Sequence, residues 1–446
     1  MTSSNLFAAG IKNYSRFPFE RRVDDWMRKL LNCDNPDFHD VIKALPGVYP
    51  TAALASLKRL YSEGSISSKT FKMLEFQATQ EVNFLDIDTY FPLPHPINFE
   101  WRFTRQTSSD ILKITHYDRG EARTPILYFG TPGVAYAALQ QKNVEPGFFI
   151  GEDNAVTGLL AKKNMERDYP LKIQRCGEQL ESEIANAVII DPPWYMDFIK
   201  PMLMAATHSV KLGGNIQFAM PPVGTGRSSY RQRRQIFELA DSIGLDVVRV
   251  RSGFLRYETP FFEANALRAA GLSTYVDWRC GDLITFVKKR VQPICLDTRS
   301  LNTPIWREAV IGRMRLYISL KSSQSSGALH SIIPNDILPS VSRNHPLRHK
   351  ANVWTSGNRM FHCDNTDLLF HAATLTNTDL NTSPFKDTYK IFPEKFDELL
   401  KLRYRLNQLS IREAKEEQFF QLGDSECKGS SISRTLLTTS NTTWGG

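Results

Sequence analysis

Near the middle of the chain, Asp191-Pro192-Pro193-Trp194 places a carboxylate, backbone carbonyls without proline N–H donors beside them, and an indole ring on one stiff turn. The run before it, Val188-Ile189-Ile190, is apolar and β-branched with no helical spacing, and reads as a buried parallel strand. The prolines stop that strand, so Asp191 falls at its carboxyl end, where open α/β sheets bind ligands. The exocyclic amine of a nucleobase is a poor nucleophile because its lone pair is delocalised into the ring. Asp191 and the Pro192 carbonyl can each accept one N–H from such an amine. That localises the lone pair on nitrogen and stabilises the positive charge that develops as nitrogen attacks. Trp194 or Tyr195 can stack on a base turned out of its strand. The competing reading is a strand that ends in a Pro-Pro turn with no further role.

Elements that can hold such a turn alternate along the central third of the chain. Ile126–Phe129 is expected as a strand, Gly130-Thr131-Pro132-Gly133 as a tight turn and 134–141 as a helix. Glycines between a strand and a helix let the backbone come close to a cofactor. Residues 147–150 form a second strand that runs into Gly151-Glu152-Asp153, where an acidic side chain can hold ribose hydroxyls. A third strand is expected at 171–173. A helix is expected over 195–210, ended by Lys211-Leu212-Gly213-Gly214, with a fifth strand at 215–220. The loop from Val223 to Arg234 carries Arg227, Tyr230, Arg231, Arg233 and Arg234, which suit phosphate, although the last two arginines also suit a solvated helix start. Further strands are expected at 245–250 and 283–287. Between them, the aromatic and charged segment from Arg256 to Glu263, with Tyr257, can frame a base or form a packed lid.

Asp191-Pro192-Pro193-Trp194 resembles the catalytic signature of S-adenosylmethionine-dependent amino-methyltransferases, in the spelling most typical of N6-adenine and N6-adenosine enzymes. The resemblance spans 126–290 and is more specific for amine methylation than for which amine. It implies a class I, Rossmann-like α/β methyltransferase sheet and the catalytic residues Asp191, Pro192, Pro193 and Trp194. S-adenosyl-L-methionine would then lie at Phe129, Gly130 and Gly133, with Glu152 or Asp153 on its ribose. Tyr195, Arg227, Tyr230, Arg231, Arg234 and Tyr257 become the candidate substrate contacts. No metal is needed, because a sulfonium is already an activated donor. Gly130-x-x-Gly133 is a degenerate form of the family's glycine loop. The target motif also follows the cofactor turn here, whereas many adenosine enzymes run in the reverse order, so their RNA substrate does not carry over directly.

The whole chain bounds these readings. It has 446 residues, enough for two or three domains, and a formal net charge of +8 that favours a polyanionic partner such as DNA or RNA. No apolar run reaches membrane-span length, and the amino-terminus has no secretory pattern. Six scattered cysteines without Cys-x-x-Cys spacing suggest reduced thiols and a cytoplasmic setting, or a nuclear one in a eukaryote. Residues 1–80 are expected to be helical, through a helix at 21–31, one at 37–45, one capped by Thr51 and one at 69–77. They read as helix-turn-helix-like or as a cap on the catalytic domain. Residues 81–125 are read as a linker with entry strands at 98–104 and 110–116. Residues 291–375 form a β-rich accessory domain with strands at 310–318 and 351–354, and its basic residues, Arg313, Arg315 and Arg343 among them, suit substrate recognition. C-terminal helices follow over 376–423, and 424–446 is a disordered tail. His345, His349, His362, Cys363 and His371 fit no zinc spacing. The leading function is methylation of an exocyclic amine in nucleic acid, foremost adenine N6. The alternatives are a protein lysine or glutamine methyltransferase and an inactive, nucleic-acid-binding partner subunit; a protein partner or dimer is compatible with each.

Overall fold

A computed structural model describes residues 18–32, 36–79, 91–119, 124–141, 146–152, 154–167, 171–175, 178, 180–273, 276–293, 306–320, 327–375 and 395–427. The central element is a seven-stranded sheet in the order β3-β2-β1-β4-β5-β7-β6. Its strands are β1 (Ile126–Phe129), β2 (Gly147–Gly151), β3 (Leu171–Arg175), β4 (Ala185–Ile190), β5 (Val210–Met220), β6 (Leu245–Arg256) and β7 (Cys280–Lys288). β7 runs antiparallel between β5 and β6, and the strands from β3 to β5 pair in parallel. This is a Rossmann-like α/β sheet with one antiparallel strand near its edge.

Two-residue alternation along the strands splits their side chains into two apolar layers. Ile126, Tyr128, Phe149, Ala187 and Ile189 pack on one face with Ile111, Leu112, Val134, Leu139 and Leu160. These come from α5 (Arg105–Arg119), α6 (Pro132–Leu139) and α7 (Ala155–Arg167). Leu127, Phe129, Val188, Ile190, Ile216 and Phe218 pack on the other face with Ile199, Leu203, Ile236 and Ala240. Those belong to α8 (Met196–Ser209) and α9 (Ser229–Ser242). The result is a sheet sandwiched between helices, with β4 buried at its centre.

Four helices precede the sheet: α1 (Phe19–Leu31), α2 (Phe38–Ala44), α3 (Pro50–Ser62) and α4 (Ser68–Thr79). Their apolar faces share one core with Leu267, Leu272 and Trp278 of the sheet-bearing region. The turn after α2 docks on the end of β5. Gly224 N–H donates to Pro46 O at 2.8 Å, and a side chain on Gly47 would collide with Pro222. Gly47 also has a φ of 75°, so glycine is required there on two counts. α3 starts two residues earlier than a Thr51 cap would give: Tyr49 is its cap, and Pro50 fills the first position, where its fixed φ suits a helix.

The entry strands expected at 98–104 and 110–116 are not strands. The first follows a 3-10 turn at Pro96–Asn98 and makes only an isolated bridge between Phe103 and Tyr257, and the second lies inside α5. Thr107, Ser108, Ile111, Leu112 and Thr115 are buried at helical spacing, which overrides the β-branched character of the segment. Residues 211–214 do not terminate a helix, because β5 begins at Val210 and an irregular register against β4 absorbs the glycines.

A second, antiparallel sheet has the order β10-β12-β11-β9-β8. Its strands are β8 (Trp306–Ile311), β9 (Met314–Ser319), β10 (Leu329–Ser331), β11 (Val353–Thr355) and β12 (Met360–Cys363). The strand expected at 310–318 is a hairpin instead: Ile311 pairs with Met314 across a two-residue turn, with Gly312 at φ 61°. Helices α10 (Phe261–Ala269), α11 (Thr366–Thr374) and α12 (Phe396–Cys427) complete the described structure. Residues 424–427 therefore continue a helix, and the remainder of the expected tail lies outside the described residues. Among the described residues no helix is long and apolar enough to cross a membrane.

Candidate active site at the carboxyl end of the sheet

Strand register brings the candidate residues together. Phe129 pairs with Ile150 on one side and Ile190 on the other, so Gly130, Gly151 and Asp191 leave the sheet on one rung. Gly130 N–H donates to Ile150 O at 3.0 Å, and Asp191 N–H donates to Phe129 O at 3.2 Å. Gly130 has a φ of 61°, and a Cβ on it would stand 3.4 Å from the Asp191 carbonyl oxygen. Thr131 follows with a buried Oγ1 that has no hydrogen-bond partner, and α6 begins at Pro132. Glu152 follows β2. It is exposed as a residue, and desolvation by its surroundings raises its carboxyl pKa.

The Asp191 carboxyl accepts a hydrogen bond from the Tyr257 hydroxyl at 3.0 Å. Burial pushes its pKa up to about 8, while that hydrogen bond and the Arg279 charge pull the other way. Near neutrality the acid form is thus favoured far more than for an exposed aspartate. The Pro193 carbonyl accepts from Tyr195 N–H at 2.6 Å, and the Trp194 carbonyl accepts from Gln232 Nε2 at 2.8 Å. Among the described residues the Pro192 carbonyl accepts no hydrogen bond, which leaves it and Asp191 as the two acceptors of the turn.

Trp194 is held from behind. Its ring stands edge-on to Tyr257 at 5.6 Å, and the Arg279 guanidinium lies 5.4 Å from its centre. That guanidinium also lies over Trp101 at 4.4 Å and donates to Glu263 at 2.7 Å; Trp101 Nε1 donates to the same carboxylate at 3.1 Å. Glu263 is fully buried. Tyr195 caps α8, with its ring 5.5 Å from Phe99 and under the Arg343 guanidinium at 4.2 Å. Sequence reading singled out neither Arg279 nor Trp101, since isolated residues of these types on separate elements carry no local signal.

Several expected contacts fall elsewhere. Tyr257 is 1% exposed with its hydroxyl on Asp191, so it positions the carboxyl and is screened from a base. A Cβ on Gly133 would meet Ser108 Oγ at 3.1 Å, so this glycine serves the packing of α6 on α5. The arginine segment is a loop only as far as Ser228. Arg233 points inward to Pro221 O at 2.6 Å and Asp282 at 2.8 Å, and Arg234 pairs with Glu238 one turn along the helix. Arg315, expected on a recognition surface, is fully buried among Glu100, Glu308 and Tyr317. Arg227 pairs with Glu20 of α1, while Arg231 and Tyr230 line a cavity described below. Asp153 lies outside the described residues. Among the described residues no group of three metal-binding side chains occurs.

Fold and site together place a carboxyl and a backbone carbonyl without a hydrogen-bond donor, among the described residues, after the fourth strand of a Rossmann-like sheet. Neither the scan of family models nor the search of curated protein sequences gives a match. Solved structures similar to the chain include a branched-chain polyamine synthase from Thermus thermophilus, at 12% identity and a TM-score of 0.47 over 62% of this chain and 92% of that one. A methyltransferase from Pyrococcus furiosus follows at 15% identity and 0.30, over 46% and 89%. A geranyl diphosphate C-methyltransferase from Streptomyces coelicolor A3(2) has 11% identity and 0.30, over 41% and 79%. At such identities no substrate or ligand carries over to this chain.

Proposed function

We propose that the protein is an S-adenosylmethionine-dependent methyltransferase acting on an exocyclic amine in nucleic acid, foremost adenine N6. The observation that carries this reading is the rung shared by Gly130 and Asp191. A left-handed turn that favours glycine lies directly beside a half-buried carboxyl and a carbonyl oxygen that, among the described residues, accepts no hydrogen bond.

The residues present fit the cofactor. The left-handed Gly130 turn leaves room for a close approach, the buried Thr131 hydroxyl lacks a partner, and Glu152 stands at the neighbouring strand end for hydroxyl groups. Bound there, the sulfonium supplies an electrophilic methyl group. Asp191 and the Pro192 carbonyl then orient the acceptor N–H groups, and the carboxylate stabilises the charge that builds on nitrogen. Tyr257 holds the carboxyl in place. Trp194, braced by Tyr257 and Arg279, forms one wall for a flat acceptor.

The test is incubation with isotopically labelled cofactor and adenine-containing oligonucleotides, read by nucleoside mass spectrometry, beside Asp191→Ala. N6-methylated adenine nucleoside with wild type and none with the variant is the expected result. Label on protein or on a free polyamine, with none on the oligonucleotide, would overturn the nucleic-acid substrate.

A further inference from the structure

We infer that the contact between the amino-terminal helices and the sheet forms an anion pocket for the phosphodiester backbone of a bound strand, with Arg22 at its base. This rests on the proposed nucleic-acid substrate and adds a binding site to it. A cavity of 460 Å³ is lined by Pro18, Phe19, Glu20 and Arg22 on one side and by Arg227, Tyr230 and Arg231 on the other. Arg22 is 3% exposed, and its Nε and Nη1 are enclosed with no hydrogen-bond partner. Its guanidinium lies over the Tyr230 ring at 4.5 Å. A cation that is buried without an acceptor carries a desolvation cost, and an anion entering the cavity offsets it. Arginine suits phosphate through its forked donors.

The cavity is tied to the reacting end of the sheet. Gln232, next in sequence to Arg231, donates to the Trp194 carbonyl at 2.8 Å. A phosphate held by Arg22 and Arg231 is therefore fixed relative to the Asp191 turn through the first turn of α9. The Arg227–Glu20 pair joins the two sides of the cavity. A strand entering competes with Glu20 for Arg227, and the helices and sheet then share one ligand.

The experiment measures binding of fluorescein-labelled oligoadenylate to the full chain at several salt concentrations. Wild type is set beside Arg22→Gln, Arg231→Gln and the charge-matched control Arg234→Gln. We expect the first two to weaken binding about fivefold or more, and to flatten the slope of log affinity against log salt by roughly 0.7–0.9 each. The control is expected to keep the wild-type slope. Arg231 is exposed, so its variant keeps the test valid if Arg22→Gln fails to fold. Unchanged slopes in both variants, with wild-type binding intact, would remove the pocket and leave the nucleic-acid substrate standing. Failure of wild type to bind any oligonucleotide, with cofactor binding intact by calorimetry, would overturn the substrate reading and the pocket with it. Inorganic phosphate titrated at constant ionic strength gives the last arm. Phosphate that binds wild type but not the variants, without displacing the oligonucleotide, would make the pocket a free-phosphate site and overturn its assignment to a strand.

Discussion

At Asp191 one hydroxyl and one charge decide how much carboxylate is present. The Tyr257 hydrogen bond lowers a pKa that burial has pushed up to about 8. Removing it with Tyr257→Phe should raise that pKa further, so the acidic limb of the kcat/KM profile should move to higher pH. A limb that stays in place would mean that another group titrates. Asp191→Ala should abolish transfer while calorimetry shows cofactor affinity within a few-fold of wild type; an equal loss of both would put Asp191 in the cofactor site. Stability gives a separate test. Below the ordinary value of 3.8 both folded and unfolded states carry the proton, and the raised pKa has no effect. Between there and about 8 the folded state holds a proton that the unfolded state has lost, so stability falls as pH rises. Asp191→Asn removes this penalty and should stabilise the fold at pH 8, a gain that shrinks toward pH 4. Thermal melts of the two proteins across that range are the measurement, and a constant gap would rule out titration of Asp191 as its source.

Among the elements, the turn after β1 and the start of α6 separate two glycines that look alike in sequence. Gly130→Val should block cofactor binding, because a β-branched residue is strained at a φ of 61° and its Cβ presses toward the Asp191 carbonyl. Gly133→Ala should cost about 1 kcal/mol or less through its contact with Ser108, and leave cofactor affinity unchanged. Reversed effects in calorimetry would move the cofactor to α6. The alternation of strands and helices was legible because period-2 and period-3.6 patterns are local, and Ile126–Phe129 coincides with β1. The strand into Asp191 was legible for the same reason. What the sequence could not show is which side a residue presents once elements dock. Arg233 and Arg234 are neighbours in sequence, yet one is buried on Asp282 and the other is exposed. Tyr257 belongs to a segment whose place above Asp191 is set by β6 and β7, far along the chain. Segment 110–116 was misread because its β-branched residues also lie on a helical stripe, and the sheet face that covers this stripe is formed by distant strands.

For the molecule as a whole, buried polar joints couple the second sheet to the first. Arg315 of β9 has no exposed side-chain surface and reaches Glu100 at 2.6 Å and the Leu93 carbonyl at 2.8 Å. It also pairs with Glu308 of β8, and Glu308 accepts a hydrogen bond from Ala155 N–H, at the start of α7, at 2.8 Å. His95 Nε2 lies 3.1 Å from the Trp354 carbonyl, and Asn98 bonds the Tyr317 hydroxyl. Burial and the neighbouring Arg315 charge both push the His95 pKa well below its ordinary value, so His95 stays neutral in this joint. On the far side Arg343 pairs with Asp197 at 2.7 Å and covers Tyr195, the residue that follows the Asp191–Trp194 turn. The second-sheet region therefore braces the Tyr195 side of the candidate site. Truncating one partner of a buried ion pair leaves the others uncompensated and costs about 3–5 kcal/mol. Arg315→Ala should do this to Glu308, and leave Glu100 with Arg102 as its remaining cation, at the joint between sheets, with the apolar core of each sheet intact. Calorimetry should then resolve two thermal transitions where wild type shows one, because local stabilities that were coupled become separate. Cofactor, bound at the first sheet, should raise only one of the two. A single transition displaced downward by the same amount with and without cofactor would mean that the sheets stay coupled through their apolar contacts, and that Arg315 contributes stability without joining them.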